Sequence, residues 1–184
     1  MLIGIHPLLS PDLLHAMAAM GHGDEIAIVD ANFPAASLAA RLVEIRGASS
    51  PDVLDATLTI FPIDTSTVPA VVTMEVVDDP AAVPEPVMDF AEVFTRHRLA
   101  DCEIGTLERH AFYERAKRAF VLVRTGEMRP YGNILLVKGV VNRHEGQIAL
   151  LRDLPSLLHA LLNFPIVGSR SSAAPISGST MSSS

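Results

Sequence analysis

The chain has 184 residues, 49% of them hydrophobic and 19% charged, with a formal net charge of −7, a mean hydropathy of +0.33 and one cysteine. That length fits one domain with a substantial core, and the apolar richness points to a large core or to surface buried between subunits. Without a run of Lys and Arg the chain is a poor match for nucleic acid; Cys102 alone makes no intrachain disulfide or thiolate metal cage, and no apolar run is long enough to span a bilayer.

The first seven residues, Met-Leu-Ile-Gly-Ile-His-Pro, have no basic start and no signal-length apolar stretch, so a cytoplasmic protein is the expectation. Ser10-Pro11-Asp12 then reads as a helix start: a hydroxyl cap, proline at the first helical position and an acidic residue against the dipole. Leu13, Leu14, Met17 and Ala18 follow at helical spacing, and Gly21 ends the helix.

Next comes Met20-Gly21-His22-Gly23-Asp24-Glu25, leading into the apolar run Ile26-Ala-Ile-Val29 and then Asp30. Neither glycine carries a Cβ to shield His22, and an exposed imidazole with a pKa near ~6.5 exchanges protons at neutral pH. Asp30 stands where the strand should end, the end at which open α/β sheets bind ligands. Each residue also has a plain reading: His22 as a loop residue bonded to backbone, Asp30 as an Asx-turn helped by Asn32 and Pro34.

Further strands are expected over residues 41–46, 71–77, 103–107, 120–124 and 134–140, after the first at 25–29. Ser50-Pro51-Asp52 repeats the earlier helix start, with Ser50 as cap and Val53, Leu54, Thr57, Leu58 and Phe61 on the buried side. Two more helices are expected over residues 84–98 and 109–119. The alternation implies an α/β fold, with helices layered around a mainly parallel or mixed central sheet. Residues 1–141 form the main domain, 142–167 an extension with a short amphipathic helix over 153–162, and 168–184 a serine-rich tail expected to be disordered.

Several chemistries are disfavoured by pattern. Helix, glycines, strand is the wrong order for a dinucleotide fingerprint, and Asp24 and Glu25 would repel phosphate. The seven histidines include no i, i+4 pair, and no serine elbow occurs. Two later segments are unusually polar. Arg109 opens a helix, where its charge opposes the dipole and calls for a compensating partner. Tyr131-Gly132-Asn133 precedes an apolar strand, as turn chemistry or as a phenol and an amide offered to a ligand. Tyr113 and Tyr131 are the only tyrosines.

Ser10-Pro-Asp-Leu-Leu14, Met20-Gly-His-Gly-Asp-Glu-Ile26, Asp30-Ala-Asn-Phe-Pro34, Phe112-Tyr-Glu-Arg-Ala116 and Tyr131-Gly-Asn-Ile-Leu135, in that order, resemble the family of L-fucose mutarotase and D-ribose pyranase, and its fucose branch more than its ribose branch. The resemblance implies a ribose pyranase-like α/β fold and a ring-shaped homo-oligomer, often a decamer. It also implies cofactor-free, metal-free exchange of monosaccharide anomers. It makes His22 the catalytic proton donor, with Asp30, Arg109 and the segment Tyr131, Gly132, Asn133 binding sugar. In the family that last segment reaches the site across a subunit interface. Asn32 stands where some members carry histidine.

Overall fold

The computed structural model describes residues 2–141, and the expected extension helix and serine-rich tail lie outside the described residues. The elements are α1 (Pro11–Ala19), β1 (Glu25–Val29), α2 (Ala35–Leu38), β2 (Leu42–Ile45), α3 (Ser50–Leu58), β3 (Val71–Met74), α4 (Glu85–Arg96), β4 (Ile104–Leu107), α5 (Arg109–Arg118), β5 (Val121–Thr125) and β6 (Ile134–Val137). All six expected strands are present: β1 spans its expected 25–29, and the other five are a little shorter than or offset from their expected spans. The four-residue α2 was not expected; four residues are too few to show a helical period.

The strands form one sheet in the order β2-β5-β1-β6-β3-β4. β2, β5 and β1 are parallel neighbours, as are β3 and β4, while β6 runs antiparallel to both β1 and β3. The sheet is therefore mixed, with a reversed strand at its middle. Five strands consequently point their carboxyl ends to the same edge.

The period of two explains how one strand serves two cores. Ile26 and Ile28 of β1 join Leu13 and Met17 of α1, Val53 and Leu54 of α3, and Phe90 and Phe94 of α4. Ala27 and Val29 face the other way, onto Phe112 and Ala116 of α5 and Phe33 and Ala35 near α2. A strand covered on both faces reads as the unbroken apolar run seen in the sequence.

Helix α1 starts as expected, with the Ser10 side chain accepting from the Leu13 amide. The second Ser-Pro-Asp start is shifted by one residue. Ser49, not Ser50, is the cap, and it exchanges hydrogen bonds with Asp52 in a capping box. Ser50 is instead the first residue of α3 and is fully buried. Helix α4 stops two residues before its expected end. Leu99 N donates to Phe94 O across Arg98 at φ 60°, a Schellman closure with arginine in the place usually held by glycine.

Candidate functional site

At the shared carboxyl edge lies a cleft of about 200 Å³, lined by Asp30, Asn32, Phe33, Met74, Arg109, Tyr113, Pro130, Tyr131 and Asn133. Each wall has its own element: Asp30 follows β1, Met74 ends β3, Arg109 and Tyr113 lie on the first turns of α5, and Tyr131 and Asn133 lead into β6. The reversed strand is what creates the crevice, since chains entering and leaving the sheet meet beside β6.

Asp30 is 4% exposed and tightly held. Its backbone amide donates to Asn133 Oδ1 at 3.0 Å, and Asn133 Nδ2 donates to Asp30 Oδ2 at 2.8 Å. The Asn32 amide donates to Asp30 Oδ1 at 2.9 Å, so the Asx-turn expected from the sequence is present in a residue that also lines the cleft. Burial pushes the Asp30 carboxyl above its ordinary value, and the nearby Glu127 carboxylate adds to the rise. Bonds from the Asn133 side chain and the Asn32 and Phe33 amides oppose it.

The dipole of α5 is met by Glu108, whose carboxylate accepts from the amides of His110 and Ala111. The partner that the α5 dipole calls for is therefore a cap on the helix itself. Among the described residues no carboxylate pairs with the Arg109 guanidinium, which faces the cleft. Tyr113 packs edge-on against Phe33 with ring centroids 5.0 Å apart, and Tyr131 Oη accepts from the Val77 amide at 3.2 Å. Tyr131 sits at φ 63°, a strained left-handed conformation for a residue with a Cβ.

Gly132 does not line the cleft. A Cβ there would lie 2.7 Å from Glu127 Cγ and 2.8 Å from Ser50 Oγ, so its place in the motif is a close-packing requirement behind Asp30. Glu127 itself is buried, and Arg129 holds its carboxyl below the usual range.

His22 is not in this cleft. It precedes β1 while Asp30 follows it, and the five residues of that strand span roughly 17 Å between them. Within one chain the imidazole and the Asp30 carboxyl therefore stand at opposite ends of β1, while Asn133 of the Tyr131–Asn133 segment meets Asp30 in the same chain. His22 is nonetheless accessible, with its side chain 53% exposed, and its partner is a carboxylate rather than backbone: Nε2 lies 3.4 Å from Asp64 Oδ1.

Asp64 was not singled out from the sequence, where nothing in Ile63-Asp-Thr-Ser-Thr67 marks it. It is 6% exposed and accepts from the Ser66 amide, the Ser66 hydroxyl and the Thr67 hydroxyl. Those bonds hold its carboxyl well below the ordinary carboxylate value, with a smaller contribution from His22. A carboxylate at Nε2 orients the ring and leaves Nδ1 on the side away from Asp64. A cavity of about 380 Å³ opens beside it, lined by Asp64, Thr67, Val68, Leu99, Cys102 and their neighbours. Burial pushes the Cys102 thiol up, which makes it a poor nucleophile.

Residues 3–141 match the model of the RbsD / FucU transport protein family. The chain is 43% identical over 143 residues to the human (Homo sapiens) fucose mutarotase, covering 75% of this chain and 93% of that protein. It is 45% identical over 146 residues to the fucose mutarotase of Mus musculus, covering 76% and 94%. Among solved structures, the fucose mutarotase of Streptococcus pneumoniae in complex with L-fucose superposes with a TM-score of 0.73 at 39% identity, over 77% of this chain and all of that one. The RbsD of Bacillus subtilis complexed with D-ribose shares the fold, with a TM-score of 0.59 at 24% identity over 74% and 98%. With a family match across residues 3–141 and relatives above 40% identity over nearly their whole length, this chain belongs to the RbsD / FucU family.

Proposed function

We propose that this chain is an isomerase, a mutarotase that interconverts the α and β anomers of L-fucose in the cytoplasm. The observation that carries the reading is the cleft in which Asp30, Arg109, Tyr131 and Asn133 converge from different elements, in a chain more than 40% identical to fucose mutarotases. Opening the pyranose needs a proton delivered to the ring oxygen while the anomeric hydroxyl loses one. The aldehyde then rotates about one bond and closes to the other anomer, with no net gain or loss of atoms. His22 carries the proton, its ring held by Asp64, and Asp30, Asn133 and Arg109 hold the sugar hydroxyls. Tyr131 closes the side of the cleft, and Gly132 lets the Tyr131–Asn133 segment lie against Asp30.

For those groups to act on one sugar, the imidazole must come from a neighbouring copy. The end of one protomer that bears His22 then meets the Asp30 end of the next. Such a head-to-tail contact closes into a ring, and a decamer is two five-membered rings of that kind. The high apolar content is in keeping with surface buried between subunits.

The test is anomer exchange of L-fucose followed by magnetization transfer between the anomeric proton signals. Wild-type protein should accelerate exchange, and His22→Ala should lose roughly 10²-fold or more of that acceleration. Chains carrying His22→Ala mixed with chains carrying Asp30→Asn should recover about a quarter of wild-type activity, through sites that draw one intact residue from each. Saturable binding without faster exchange would make the protein a sugar-binding module instead. No recovery on mixing would sink the shared site.

A further inference from the structure

The turn that carries His22 and the loop that carries Asp64 are far apart in sequence and do not pair with each other through their backbones. Both are fastened to the same three residues, the end of β6 and the two that follow. On one side, Gly23 N donates to Lys138 O at 2.9 Å and Lys138 N donates to Asp24 O at 2.8 Å. Two residues thus oppose one, with Gly23 at φ 84°, which is a G1-type β-bulge. The same glycine closes the turn on which His22 is the corner, through Asp24 N to Gly21 O at 3.3 Å. On the other side, Asp64 N donates to Val137 O at 3.0 Å and Gly139 N to Pro62 O at 2.9 Å.

The Lys138 side chain adds a third fastening. Its ammonium donates to Met17 O at 2.8 Å and to Met20 O at 2.6 Å, two carbonyls at the end of α1. That helix has no basic residue in its own last turn, and the chain leaves it directly into Gly21 and His22. The ammonium therefore satisfies carbonyls that the helix leaves unpaired and fixes the angle at which the turn departs. At Gly139, a Cβ would lie 2.5 Å from Ile63 O and 2.9 Å from Asp64 Cα, so the backbone carrying the carboxylate lies directly against this strand end.

We propose that Lys138 is a positioning residue for the proton-transfer group: its half-buried ammonium and its backbone set the His22 turn at the distance from Asp64 that the imidazole requires. This rests on the reading of His22 as the proton carrier. The role is positional, since the ammonium is engaged by helix carbonyls rather than aimed at a ligand.

The test compares Lys138→Met, which keeps most of the aliphatic stem and removes the donors, with Lys138→Gln, which retains a donor should the first variant fold poorly. Thr57→Val serves as a stability control, because it removes a buried hydroxyl bonded to Val53 O within α3, away from either site. Two readouts are taken: kcat and KM for L-fucose exchange, and the imidazole resonances of His22, assigned by their loss in His22→Ala. Lys138→Met is expected to lower kcat roughly 10- to 100-fold, with KM within about twofold and the His22 resonances shifted. Lys138→Gln should fall between that variant and wild type in both readouts, and Thr57→Val should change neither. Unmoved His22 resonances in the lysine variants, or a kcat loss no larger than that of Thr57→Val, would overturn the proposal. Shifted resonances in a protein whose wild type does not exchange anomers would uphold the positioning and reject the activity.

Discussion

Asp30 is a buried residue that also lines the cleft, and under the proposed function it would bind sugar; Asn133 is what reconciles the two. The amide satisfies the Asp30 backbone N–H and one carboxylate oxygen at once, at a site with almost no solvent. Asn133→Ala should therefore cost about 1–3 kcal/mol of stability, the usual penalty for stranding buried polar groups. Its effect on binding follows by sign. The Asn133 bond lowers the Asp30 value, so losing it raises the value further, and the acid limb of L-fucose affinity should move to higher pH. Titrating affinity in wild type and Asn133→Ala between about pH 4 and 7 checks this; an unmoved limb would remove Asp30 from the titrating role. For folding the signs divide. Asp30, raised in the native state, contributes below its unfolded value and loses that contribution as pH rises through its folded one. Asp64 and Glu127, held low, contribute above the ordinary carboxylate range and lose it as pH falls.

The segment from β5 to β6 works as one strap. Arg129 donates from Nε and Nη2 to the two oxygens of Glu127 at 2.9 Å each, and its Nη1 lies 2.9 Å from both Glu85 and Asp89 on the first turns of α4. Those carboxylates, Glu127 foremost, push the guanidinium further above its ordinary value. The clamp helps hold Tyr131 in a backbone conformation that costs on the order of 1 kcal/mol or more by itself. Glu127 is 4% exposed, so removing its partner strands a buried charge, whereas neutralising it does not. Arg129→Ala is expected to destabilise by about 1–3 kcal/mol and Glu127→Gln by clearly less, read from urea unfolding midpoints at neutral pH. Equal losses would show that the charge of Glu127 is not the issue.

At the scale of the whole molecule, what the sequence made legible was local chemistry. Ser10 caps α1 because proline and aspartate follow it, and the two-sided burial of β1 is written in four consecutive apolar residues. The cleft residues Asp30, Arg109, Tyr131 and Asn133 were identified and do come together. The reversal of β6 was not legible, because its apolar run is the same in either direction and packing decides. Asp64 was missed for a related reason: its pairing with His22 exists only through the return of β6, more than seventy residues further on. The separation of His22 from Asp30 could have been read, since a five-residue strand is itself a ruler.

The two aromatic walls of the cleft have an optical consequence. The protein has no tryptophan, and its only two tyrosines, Tyr113 and Tyr131, both line this one crevice. Its tyrosine emission therefore comes from this cleft alone, with no indole elsewhere to drain or mask it. Adding L-fucose should produce a saturable change in that emission, and Asp30→Asn should weaken the titration. A signal indifferent to sugar would mean that no ligand enters between those rings.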